Sequence, residues 1–309
     1  MSVVAPYILQ LGRIEPYISL NELKYSPTAA ALDFSNLVAN GDTAANDRAL
    51  YELIVRASSK IDAFCMGKLG TLNATENTEA GRYRMDRKGR FLIHPDFTPV
   101  VEVSSFAWGP LIGQTNSVPI SSTNCFIERD TIIMQAYGAA QVNQVAGMQA
   151  FSWVMQMPYD GEFYVQYTYV NGYANTFTTA NATAGSSSIV VTDSTGIYPS
   201  MQIQIWDGMN DEYIQISSSY DGESLTLPLT NPLVYSHGIG TNVSALPAAV
   251  KQACIHFVVG MVKQRGQGGI MLDEMGAGIP VSGKIEMSAE DEIAGYDLLD
   301  PYRVVWGRT

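Results

Sequence analysis

The sequence predicts an α+β protein: a helical core with β-hairpins and strands, an inserted small all-β domain and an extended C-terminal arm. Three observations predict it. Two stretches, about Thr43 to Met66 and Leu246 to Arg265, carry apolar residues at helical spacing. Several stretches between Arg82 and Val170 instead favour strands, most cleanly Glu162–Val170, where apolar and polar residues alternate with a period of two. Residues 176–245 then change texture: rich in Thr, Ser, Asn and Gly, they hold six Asp or Glu and no Lys or Arg.

The elements follow in order. Ser19-Leu20-Asn21-Glu22 has the form of a capping box that opens a short helix stopped by Pro27. A second helix is expected from Thr28 to Val38, ended by Asn40-Gly41. In the helix from Thr43 to Met66, Leu50, Leu53, Ile54, Ala57, Ile61, Phe64 and Cys65 form one stripe, and Gly67 is expected to cap its end. Arg82–Met85 and Phe91–His94 predict two strands joined by a turn at Lys88-Gly89. Val100 to Trp108 and Phe126 to Met134 predict more. In Glu162–Val170 the residues Phe163, Val165, Tyr167 and Tyr169 share one face. Within 176–245, short strands near 189–191, 201–205, 213–216 and 225–227 are separated by Asp207-Gly208 and Asp221-Gly222 turns. Pro247 then starts a helix through Val250, Ala253, Cys254, Phe257, Val258 and Met261 to Arg265. The helices at 43–66 and 246–265 are expected to pack through Leu53, Ile54, Ile61, Phe64, Val250, Cys254, Phe257 and Met261.

The domain reading is a core in residues 1–175, completed by the helix at 246–265, with the all-β domain of 176–245 inserted between. Residues 266–283 hold six glycines in 18 positions and predict a flexible linker. The final arm, 284–309, is expected to dock on a partner through Tyr296, Leu299, Tyr302, Arg303, Trp306 and Arg308, since Tyr, Trp and Arg dominate binding energy at interfaces. Folding back on its own subunit is the alternative.

Composition bounds the function. The chain has 309 residues, 46% hydrophobic and only 16% charged, which suits a surface largely hidden against partners. A net charge of −12 argues against a general nucleic-acid binder. Cys65, Cys125 and Cys254 fit neither a disulfide framework nor a zinc pattern and read as buried thiols of a reducing compartment. The first residues show no basic signal region and no apolar run could span a bilayer, so cytoplasmic assembly and no membrane partner are expected.

Catalytic motifs are missing. There is no phosphate loop, nucleophile elbow or H-E-x-x-H, so an enzyme, a metal and a cofactor are not expected. His256 reads as a core or interface histidine. Asp207-Gly208-Met209-Asn210-Asp211-Glu212 could offer oxygen ligands to calcium but lacks the EF-hand spacing, and an acidic turn has the same look. One charged constellation stands out: Arg82, Arg84, Arg87, Lys88 and Arg90, five cations in nine residues. It could contact phosphates, meet an acidic neighbouring subunit, or be the solvated face of an edge hairpin.

The order of four further segments resembles a known family. These are Tyr17-Ile18-Ser19-Leu20-Asn21-Glu22-Leu23, the helical Leu53–Asp62, the strand Val165–Tyr173, and Leu246-Pro247-Ala248-Ala249-Val250-Lys251-Gln252-Ala253. With the Arg-rich hairpin, they resemble the head–tail connector (adaptor, or head-completion) proteins of tailed double-stranded DNA bacteriophages. The resemblance covers about 1–175 and 246–265, and the 176–245 segment departs from it. It implies a structural protein of the virion neck, assembled in the host cytoplasm as a ring of usually about twelve subunits. The ring would bind the portal protein on one side and the tail or next neck protein on the other. DNA would pass along its axis without sequence-specific contact, for which an acidic balance is suited. The main competing reading is a carbohydrate- or receptor-binding virion protein that uses the β domain, with Trp206 and Tyr213 as exposed aromatics; the second is an enzyme whose site is assembled from distant residues.

Overall fold

A computed structural model of the chain describes residues 16–30, 32–34, 37–38, 41–67, 69–71, 76–86, 88–113, 115–128, 131–135, 162–265 and 282–303. Helices and several antiparallel sheets together make the α+β class. The chain divides into two compact units, residues 74–173 and residues 1–73 with 174–309.

The unit 74–173 contains β1 (Glu76–Arg84), β2 (Arg90–Ile93), β3 (Val100–Gly109), β4 (Asn116–Ser117), β5 (Cys125–Glu128), β6 (Thr131–Gln135) and β7 (Glu162–Asn171). They form two antiparallel sheets, ordered β1-β7-β3-β4 and β2-β6-β5. The alternation along β7 is realised: Phe163, Val165, Tyr167 and Tyr169 are all buried. They join Phe91, Phe106, Ile132 and Met134 in one core. Aromatic rings meet there edge-on, Phe91 at 6.0 Å and Trp108 at 5.1 Å from the Phe163 ring.

The expected hairpin between 82 and 94 takes a different course. The turn closes, with Asp86 accepting from the Lys88 and Arg90 N–H groups and Gly89 at φ +75°. Beyond the single bridge Met85–Phe91, however, the strands part: β1 pairs along its whole length with β7, and β2 with β6. A two-stranded ribbon buries little, and each strand gains more from a larger sheet.

The other unit holds α1 (Leu20–Tyr25), α2 (Thr43–Cys65), α3 (Ala248–Arg265) and α4 (Ser282–Leu299). It also holds six strands: β8 (Asn175–Phe177), β9 (Ser188–Val190), β10 (Gln202–Trp206), β11 (Glu212–Gln215), β12 (Thr226–Pro228) and β13 (Asn242–Ser244). The capping box is formed: Ser19 Oγ accepts from the Glu22 N–H, and Glu22 accepts from the Ser19 N–H. On α2, Leu50, Leu53, Ile54, Ala57 and Ile61 are buried, and on α3 Val250, Cys254 and Phe257. The two helices meet, Ser58 Oγ lying 3.8 Å from Cys254 Sγ. The strands form the sheets β11-β10-β13-β8 and β12-β9 around a core of Ile189, Val191, Ile203, Ile205, Ile214, Ile216 and Val243.

Three expectations are corrected. No helix forms among the described residues of 28–38; the N–H groups of Ala29, Ala30 and Leu32 bond three residues back, as successive turns. Val38 gives its N–H to the Asn46 side chain at 2.9 Å instead of to a helical carbonyl. The residue types at positions 33, 35 and 36, Asp, Ser and Asn, also have low helix propensity, because such side chains offer the backbone competing hydrogen bonds. At the end of α2 the left-handed residue is Met66 (φ +62°), while Gly67 donates back to the Asp62 carbonyl. The arm is not extended over 282–299: it is α4, folded against α2 and α3. The expected linker, 266–283, lies outside the described residues apart from its last two.

Candidate interaction surfaces

Three of the segments that carry the resemblance converge on one buried centre. Lys251, on α3 and fully buried, donates to both Glu22 carboxylate oxygens at 3.1 Å, to Asn242 Oδ1 at 2.7 Å and to the Tyr17 carbonyl at 3.2 Å. The Tyr17 N–H donates to Ser58 Oγ at 3.0 Å, and its hydroxyl to Asp62 on α2. The Trp206 ring lies beneath the Lys251 ammonium, 4.6 Å from ring centre to nitrogen. Burial raises the Glu22 carboxyl pKa and lowers that of Lys251, each opposed by the partner charge. The centre ties α1, α2, α3 and the β8–β13 sheet together. Trp206 is half-buried here and not the exposed aromatic expected of it.

The basic turn stands as follows. Arg82, Arg84 and Lys88 are exposed. Arg84 lies 3.6 Å from Glu162 across the β1–β7 pair, an exposed contact of small energetic weight. Arg90 lies 2.8 Å from Asp86. Against some desolvation, hydrogen bonds from the Arg90 and Lys88 N–H groups and the Arg90 guanidinium hold the Asp86 carboxyl below the usual carboxylate range. Arg87 lies outside the described residues. Next to this turn, the β2-β6-β5 sheet turns Leu92, Ile133 and Phe126 to one face, since Leu92 pairs Ile133 and Phe126 pairs Ile133. Leu92 and Phe126 are each 47% exposed.

The turn Asp207–Glu212 uses its carboxylates internally. Asp211 accepts from the Asp207 and Gly208 N–H groups at 2.8 Å. His237, enclosed, stands 3.1 Å from Asp207 and 2.6 Å from Glu212. Glu212 also accepts from the Val234 and Tyr235 N–H groups at 2.9 and 3.4 Å. Among the described residues no group of side chains has the makeup of a metal site. Gly208 sits against α1, where a Cβ would stand 2.9 Å from the Asn21 carbonyl. Around this frame the large apolar side chains Met209 (70% exposed), Tyr213 (78%), Val234 (67%) and Tyr235 (45%) face solvent.

The proposed docking residues of the arm divide. Tyr296 lies 4.7 Å from the Phe64 ring and 5.0 Å from the Phe257 ring, and Leu299 is fully buried. Gly295 permits the approach, for a Cβ there would stand 2.7 Å from Phe257. Ion pairs fasten the same face: Lys263–Asp291 at 2.5 Å and Lys60–Glu292 at 3.2 Å. His256 Nδ1 is 3.5 Å from the Asp291 carboxylate, too far for a hydrogen bond. Tyr302 is half-buried, and Arg303 is exposed over the Phe64 ring. Trp306 and Arg308 lie outside the described residues. Tyr296 and Leu299 therefore serve their own subunit.

One cluster escaped the sequence. Glu79, on β1 opposite Tyr167, accepts from the hydroxyls of Tyr167 and Tyr169 and from the Asp96 N–H. Burial and then the Glu79 contact push both tyrosine pKa values up. The signal was the Tyr167–Tyr169 pair itself: two hydroxyls on a buried face need a polar partner.

Comparison of the chain with family models, curated proteins and solved structures finds no match. Among the described residues no helix is long and apolar enough to cross a membrane.

Proposed function

We propose that this chain is a structural, non-enzymatic subunit that assembles into a ring in a phage neck, joining the portal to the tail around an axial DNA channel. One observation carries the reading. The segments 17–23, 53–62 and 246–253, which resemble the connector family, are far apart in sequence yet interlock through Tyr17, Glu22, Ser58 and Lys251. A motif order that also makes one contiguous core is a stronger sign of shared architecture than the order alone. The twelvefold number, the portal and the tail or next neck protein as partners, and the virion location all come from the resemblance.

Mass measurement of the purified protein, alone and with a portal ring, tests the reading. High-order or portal-dependent rings are expected. A chain that stays monomeric under both conditions defeats it. The carbohydrate- or receptor-binding alternative keeps Tyr213 but loses Trp206 as an exposed platform. Glycan-array binding by the full chain that is lost in Tyr213→Ala is the result that favours it.

A further inference from the structure

Two exposed apolar surfaces in this molecule carry opposite electrostatic surroundings. The first is the row Leu92–Ile133–Phe126 on the β2-β6-β5 sheet, beside the turn 82–90. That turn holds five cations and one anion, Asp86, a local charge of +4. The second is the group Met209, Tyr213, Val234 and Tyr235 around the Asp207–Glu212 turn, with Tyr25 of α1 close to Gly208 and itself 53% exposed. It belongs to a segment, 176–245, with six anions and no Lys or Arg, a charge of −6 with His237 neutral.

We propose that these two surfaces are the two halves of one contact between neighbouring copies of the chain, the tyrosine-rich acidic surface of one copy docking on the sheet face and basic turn of the next. The inference rests on the ring reading above. Each surface is an apolar centre with a charged border, the common anatomy of a protein–protein contact. The acidic one presents Tyr25, Tyr213 and Tyr235, a residue type enriched among binding anchors. It is also pre-shaped: His237, Glu212 and Asp211 fix the turn and the 234–237 segment through their hydrogen bonds, so little ordering is lost on docking. Opposite charge selects the pairing. Two copies meeting through the same surface would set like charges together, whereas the mixed contact sets the basic turn against Asp207, Asp211 and Glu212, in a segment without Lys or Arg. A contact between two different surfaces is heterologous, and heterologous contacts propagate into closed rings or filaments. This gives the basic turn an acidic neighbour as its partner.

The test uses full-length chain and two double variants at exposed positions, Met209→Ser/Tyr213→Ser and Leu92→Ser/Phe126→Ser, with thermal melting to show that each is folded. Oligomer mass is read by mass photometry across concentration and salt, with portal present if the wild type needs it. The expected result is that each variant alone loses at least about tenfold in association affinity, as loss of an aromatic anchor implies. An equimolar mixture of the two should form heterodimers and nothing larger, because one intact surface of each kind remains. Wild-type association should weaken as salt rises. Wild-type rings with either variant assembling equally well, or with a mixture that stays monomeric, overturn this contact and leave the ring reading standing. A wild type that is monomeric even with portal overturns both.

Discussion

At residue scale the stability of the helical unit rests on a few buried side chains with identifiable neighbours. Phe257 is fully buried and lies under the Tyr296 ring, with the Lys60 ammonium 4.8 Å from its own ring centre. Phe257→Ala should cost about 3–5 kcal/mol in denaturant unfolding, because α2, α3 and α4 all close around it and cannot collapse far. A loss under about 1 kcal/mol would place the ring at the surface instead. The thiols give a pH dependence. Burial pushes Cys65 and Cys254 up to about 12 from an ordinary 9.0, helped at Cys65 by the Asp62 charge. Both are protonated in folded and unfolded chains below about pH 9, so their contribution is intact there. As pH rises from 9 towards 12 the unfolded chain loses its thiol protons first, and that contribution disappears. The wild type should therefore lose stability over this window faster than Cys65→Ala/Cys254→Ala, a comparison in which every other group is common to both chains. Parallel curves would mean that the thiols are hydrated.

At element scale, what the sequence made legible depended on how much information a local pattern carries. Helices α2 and α3 were readable because a stripe such as Leu50, Leu53, Ile54, Ala57, Ile61 has only one way to be buried. The inner face of β7 was readable for the same reason. The partner of β1 was not: residues 82–94 look like a hairpin locally, and the pairing with β7 is a choice made across some 80 positions of chain. Local pattern likewise could not show that Tyr296 and Leu299 serve their own core, because an apolar helix face fits a partner or its own subunit equally well. The missing clue was Gly295, small where Phe257 is large. Truncation after Gly283 tests this packing. It removes Tyr296, Leu299, Asp291 and Glu292 together, uncovering Phe64 and Phe257, and should lower the melting temperature by several degrees or more. An unchanged melting temperature would show that α4 contributes nothing to the fold, and would return these residues to a partner-docking role.

At the scale of the whole molecule, the charge distribution bears on how a neck subunit of the proposed kind would meet DNA. The net charge is −12, and the only dense cluster of cations is the turn 82–90. Three readings of that turn are open in the sequence, and the structure shows which of its described cations already have a partner within the chain. Arg90 is held by Asp86 and Arg84 stands near Glu162, which among the described residues leaves the exposed Arg82 and Lys88 as the better candidates for an outside anion. Two such cations release few counterions, so any duplex DNA contact they make should be weak, with a shallow salt dependence. Fluorescence anisotropy with a labelled duplex at about 0.15 M salt should give a Kd no tighter than about 10⁻⁴ M for the free subunit, the weak end of non-specific binding. Assembly should weaken it further, because the proposed contact between copies covers the turn. Lys88→Glu should then reduce ring formation more than it reduces DNA binding. If DNA binding is instead tight and is the property that Lys88→Glu removes, the turn is a phosphate-contacting element, and the DNA path is gripped by the ring and not merely lined by it.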